Sequence, residues 1–195
     1  MFEFEAPTAA STEFLLALES LKHASIRDEL IVDQIDAPAN IGTNAIAFAA
    51  DIRSSVVSGH NDLGTGRFVL VWEPVQQEAW RSNFRVISFA KSPLETNIGD
   101  DERIADVAWA WLNESLNYRG ATFEAPAGTV TRINSSGFGS LSGQSDHAEL
   151  EMRVSWSPLS SQAERHFEAW QDLVCILSGL PLLPTGVSSG KFGAR

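Results

Sequence analysis

Residues 147–156, HAELEMRVSW, alternate without a break: Ala148, Leu150, Met152, Val154 and Trp156 against Glu149, Glu151, Arg153 and Ser155. Successive side chains of a strand point to opposite faces, so this segment reads as a strand with one apolar side and one wet side. A strand of that kind belongs to an antiparallel sheet with helices gathered on its apolar face. The segment GTVTRINSSGF, 128–138, precedes it as the other half of a hairpin.

The rest of the chain fits that frame. A first helix is expected over 11–24, capped by Ser11 or Thr12, with Phe14, Leu15, Leu18 and Leu21 on its apolar side. Three strands follow. NAIAFAADI (44–52) puts Ile46, Phe48, Ala50 and Ile52 on one face and small alanines on the other. GRFVLVWE (66–73) is apolar on both faces, as a central strand would be, and NFRVISFAK (83–91) is the third. The glycine-rich SGHNDLGTG joins the first two as a hairpin loop. A last helix over 160–178 carries Ala163, Phe167, Trp170, Val174 and Leu177 on one side. Residues 30–35 read either as a short strand or as coil. The expected architecture is α+β, one domain over 1–184 with about five antiparallel-rich strands and three helices in the order αβββαββα. The glycine-rich residues 185–195 read as a loose tail.

The middle helix, RIADVAWAWLNESLNYRG at 103–120, raises a packing problem. Asp100, Asp101 and Glu102 suit its first turn and Gly120 its stop. With Ile104 at the origin of a helical projection, its apolar positions cover an arc of about 200°, where a surface helix needs about 100°. Trp111 lies inside that arc and Trp109 at its far edge, so a sheet alone does not cover both. The first or last helix packing alongside would, as would a long polar side chain against the indole, or a second chain. Trp109 and Leu116 are the interface candidates.

Charge narrows the partners. The chain carries 14 Lys and Arg against 25 Asp and Glu, a formal charge of −11. The acids are spread through both halves, and no basic stripe offers itself to phosphates, so neither a nucleic acid nor a membrane surface is an expected partner. One cysteine, Cys175, allows no internal disulfide and no zinc site built on thiolates. The opening MFEFEAPTAA lacks the basic start of a signal peptide, and the apolar run 173–187 is too short to span a bilayer. A cytoplasmic location is the resulting expectation.

No catalytic constellation declares itself. His23, His60, His147 and His166 show no metal-ligand spacing, and there is no GxSxG elbow. His166 falls among apolar helix positions and reads as a satisfied core residue. Cys175 is expected on the polar side of its helix near Glu164, Glu168 and Gln171, where acids would raise its pKa. GFGSLSG, 137–143, leads into a strand instead of a helix and reads as a hairpin loop, not a phosphate loop. Glu149 with Glu151, and Asp100 to Glu102, are accounted for by a wet strand face and a helix start. No catalytic residue, metal or cofactor is therefore expected.

Several short motifs, taken together and in order, carry a resemblance. They are QEAW (77–80), DVAWAWL (106–112), GTVT (128–131), FG (138–139), ELEMRVSW (149–156) and GLP (179–181). The chain resembles, over roughly 10–187, an actinobacterial domain-of-unknown-function family, number three thousand of its series. The resemblance implies no reaction, cofactor or catalytic residue. The element order also resembles that of small secretion chaperones and related adaptors, which dimerise through helix and sheet surfaces; fold order does not fix function. The leading expectation is a non-catalytic module that binds a protein partner or itself as a homodimer. The alternative is a small-molecule binder or enzyme with a site at the loops near His60, Asp62 and the 137–143 glycines.

Overall fold

The computed structural model describes residues 1–7, 10–54, 63–94, 101–142 and 147–182. Their elements run α1 (Thr12–Lys22), β1 (Leu30–Ile35), β2 (Asn44–Ile52), β3 (Thr65–Gln77), β4 (Ser82–Leu94), α2 (Ile104–Tyr118), β5 (Phe123–Ser135), β6 (His147–Pro158) and α3 (Ala163–Leu177). A 3-10 turn at Gly139–Leu141 interrupts the connection from β5 to β6. The six strands form one sheet in the order β1-β2-β3-β4-β6-β5, and every neighbouring pair is antiparallel.

The sheet has six strands where about five were expected. The addition is residues 30–35, which pair with β2 from Leu30 opposite Ile52 to Ile35 opposite Ala47. Only Leu30 of this strand is buried, and Ile31 is 44% exposed. An edge strand with one anchored end shows no clean alternation, which is why its sequence reads ambiguously.

The inner face is built in rows across the strands. Leu70, Val86 and Trp156 make one, with Phe48, Phe68, Ser88 and Val154 beside it, and Ala50, Gly66, Ala90 and Met152 next. All are buried, and most join one continuous core with the helices. The last row is small for a reason. A Cβ on Gly66 would stand 2.5 Å from Cγ2 of Val174 and 3.2 Å from the Trp170 ring, so α3 crosses the sheet close to bare backbone. The opposite face explains the doubly apolar β3. There Ala47, Val69 and Val71 are buried under a second, smaller cluster that includes Ile35, Ile41 and Trp80.

α1 begins one residue later than its cap: the Ser11 Oγ accepts the Phe14 N–H at 3.2 Å. Leu15, placed on its apolar side by the sequence, is 46% exposed, and Ala17 takes that place in the core. α2 stops as expected, with Gly120 at φ +64° and the Ala121 N–H returning to the Leu116 carbonyl.

α3 departs most from its sequence reading. Its nominally polar side is covered by residues 25–29. Glu168 accepts the Ser25 N–H, Gln171 accepts the Arg27 N–H and donates to the Ser25 carbonyl, and Asp172 accepts from the Arg27 guanidinium at 3.1 Å. Arg119, just past α2, closes on Asp172 through Nε at 2.5 Å and Nη2 at 2.9 Å. Asp172 is 0% exposed. It therefore sits between two arginines that come from the α1–β1 connection and from the end of α2.

Removing one partner of a buried ion pair strands the charges it neutralised, at a cost of about 3–5 kcal/mol. Asp172→Ala is expected to destabilise the protein by that amount in urea unfolding monitored by tryptophan fluorescence. A change below about 1 kcal/mol, the range of exposed pairs, would show that Arg27 and Arg119 are satisfied without it.

Candidate functional site

Two titratable groups that chemistry could use, His166 and Cys175, are absorbed by the core. His166 is 1% exposed, and its Nδ1 accepts the Trp156 indole N–H at 3.0 Å. Burial first, and then the Arg165 charge, pull its pKa down to about 4. That agrees with a satisfied core histidine and fixes it as the neutral acceptor. Cys175 is 0% exposed, which corrects its expected place on a polar surface. It follows Glu168, Gln171 and Asp172 along the stripe that residues 25–29 cover. Burial is the main cause that pushes its pKa up to about 12; Glu29 and Asp172 add to this and Arg27 opposes it. A thiol in that state is no nucleophile at neutral pH.

The remaining candidates lie apart. His23 is exposed beside Glu19, and His147 is exposed at the start of β6. Glu149 pairs with Lys91 at 2.8 Å and Glu151 with Arg153 at 2.7 Å, so those acids form ion pairs across and along the open face of the sheet. Among the described residues no three His, Cys, Asp or Glu side chains gather as a metal site. His60 and Asp62 lie outside the described residues, as do Asp100 and Gly143. Of the glycine segment, residues 137–142 connect β5 to β6, with Gly139 at φ +59° and Phe138 81% exposed.

What the fold leaves open is a flank of α2. Its buried residues are Ile104, Ala108, Leu112, Ser115 and Leu116, an arc of about 120° in projection. The two tryptophans bracket this arc, each about 80° from its centre. Both are half-buried and packed on the core, so each indole has one covered and one open side. Leu116, expected at an interface, is 0% exposed and offers no surface. Beyond Trp111 the same side carries Val107 and Tyr118, each 39% exposed. Val107, Trp111, Glu114 and Tyr118 follow the i, i+4, i+7, i+11 spacing of a helical stripe. Glu114 is exposed within the stripe, Arg103 and Asp106 are exposed at the start of the helix, and the Arg119 guanidinium lies 5.9 Å from the Tyr118 ring centre. The 103–120 segment contains this stripe, but an over-wide apolar arc does not reveal which edge stays uncovered. Neighbouring α3 and β5 decide that.

The buried histidine makes stability depend on pH. Its folded pKa of about 4 lies below the unfolded value of 6.5, so the unfolded state binds more protons between those values. Its contribution is intact above pH 6.5 and is lost as pH falls towards 4, to a total on the order of 3 kcal/mol. Urea titrations at pH 7 and pH 5 are expected to differ less in His166→Gln than in the wild type, because glutamine can accept the indole N–H without a titrating ring. An equal loss in both would place the pH dependence elsewhere.

Comparison with known proteins gives one match. The model of a family described as "Protein of unknown function (DUF3000)" matches residues 10–188. No curated protein and no solved structure matches. The match takes in the helices and strands of the described residues, along with Asp172, the core histidine and the α2 flank. The chain belongs to the DUF3000 family of proteins of unknown function.

Proposed function

We propose that this chain is a non-catalytic binding module that takes a protein partner on the outer flank of α2. One observation carries the reading. Val107, Trp111 and Tyr118 share a helix side and keep open surface after the fold has buried Ile104, Ala108, Leu112 and Leu116 of the same helix. Aromatic and aliphatic side chains grouped in this way are the material of interface centres. Glu114 within the stripe, on a chain of net charge −11, favours a partner that presents apolar residues flanked by Lys or Arg. A second copy brings the same net charge of −11, so self-association through this flank opposes like charges. The His60 and Asp62 loop stands as the alternative seat for a small ligand, without a described geometry to favour it.

A synthetic basic amphipathic helix of leucine and lysine is the probe. It is expected to bind the wild-type protein with a micromolar Kd that weakens with added salt. Val107→Glu is expected to weaken that binding about tenfold or more while leaving cooperative unfolding in place. Absence of binding to the wild type, or equal binding to the variant, would refute the α2 flank as the contact surface. Light scattering across concentration reads the homodimer directly; a dimer dispersed by Val107→Glu would replace the foreign partner with a second copy.

A further inference from the structure

Residues 2–5 form no helix or strand, yet they are seated. Phe2 and Phe4 are half-buried, while Glu3 and Glu5 between and after them are exposed, a period of two. The Phe2 ring stacks on Phe167 with centroids 5.5 Å apart and lies 5.3 Å from Phe48. Phe4 meets Phe48 edge-on at 5.4 Å. The backbone is read as well. Phe2 N–H donates to the Lys22 carbonyl at 2.9 Å. The Gln34 side-chain amide accepts the Glu5 N–H at 2.7 Å and donates to the Glu5 carbonyl at 2.8 Å. Residues 1–3 themselves line one side of an open cavity of about 780 Å³, with Lys22, His23, Ser25 and Ile26 on the other.

Two further facts set this segment apart. Its floor residues Phe48 and Phe167 lie inside the family match, which begins at residue 10, and the segment lies before it. It is held by three hydrogen bonds and two rings that keep part of their surface in water. That is how a bound peptide is held: main-chain hydrogen bonds supply affinity and alternate side chains supply specificity.

We infer that the groove floored by Phe48 and Phe167 is a docking site for a short segment of another protein with a Phe-acid-Phe pattern, and that residues 2–5 are its resident occupant. A tethered occupant competes at an effective concentration on the order of mM, so a foreign segment enters only by displacing it. A second copy of this chain gains nothing by exchange, since each copy loses the contact it offers. The site is separate from the α2 flank and stands or falls independently of it.

The test uses the full-length chain carrying Phe2→Ala and Phe4→Ala, beside the wild type, titrated with a fluorescent peptide of residues 1–7. The double variant is expected to unfold cooperatively and to bind the peptide about tenfold or more tighter than the wild type does. A peptide with both phenylalanines replaced by alanine is expected not to bind, and Gln34→Ala in the double variant is expected to weaken binding. The inference is overturned if the double variant binds no tighter than the wild type, or if the alanine peptide binds equally well. Failure of the double variant to fold would also overturn it, by making residues 2–5 part of the core. A wild-type dimer that the double substitution dissolves would assign the groove to exchange between copies instead.

Discussion

The carboxylate of Asp172 holds together parts of the chain that sequence separates widely. It lies on α3, faces inward, and meets Arg27 from before β1 and Arg119 from the end of α2. Arg27 also reaches Glu29 at 2.7 Å and the Pro181 carbonyl at 3.0 Å, so the chain leaving α3 joins the same point. Burial raises the cost of each charge, and the partners lower it. Pairing with Asp172 and Glu168 raises the Arg119 pKa, and pairing with Glu29 and Asp172 raises that of Arg27 against its burial. A network of this kind adds modest net stability but strongly penalises any arrangement that breaks it, so it selects one placement of the helices.

That placement decides the character of the surface. With α3 held at the centre of the helix layer, its polar stripe is covered and Cys175 is sealed. α2 is left at one side, and its two tryptophans each have one half to cover. The sheet is finished differently on its two faces. The inner one meets the helices through a continuous core, while the outer one carries a small apolar cluster around Val69 and Val71 beside ion pairs of Lys91 and Arg153. No helix among the described residues is long and apolar enough to cross a membrane.

His166, Cys175 and Asp172 are thus spent on structure, since the burial of each leaves almost no open surface on it. Arg85 is instructive here. It is 7% exposed and donates to the Ala125 carbonyl and to the hydroxyls of Ser155 and Ser157, holding the bulge where β5 leaves its register. Ala125 adopts φ +47° at that bulge. Even a buried cation with neutral partners therefore serves the sheet edge, where bulges discourage pairing with other chains.

The sequence by itself determined the α+β class, the antiparallel pairing of 147–156, the central position of β3, the stop of α2 and the core role of His166. Each of these follows from local periodicity, capping or composition, which act within one element. It misplaced Leu15 and Cys175 and left Trp109 and Leu116 undivided, because a helical projection tells which residues share a side but not what lies against it. Tertiary structure alone decided that residues 25–29 cover the polar stripe of α3, that Leu116 is sealed while Val107 and Tyr118 stay open, and that the FEF pattern at the start of the chain lies on Phe48 and Phe167. These outcomes depend on pairings between residues as far apart as Arg27 and Asp172, and burial is a property of such pairings, not of a residue's own neighbours in sequence.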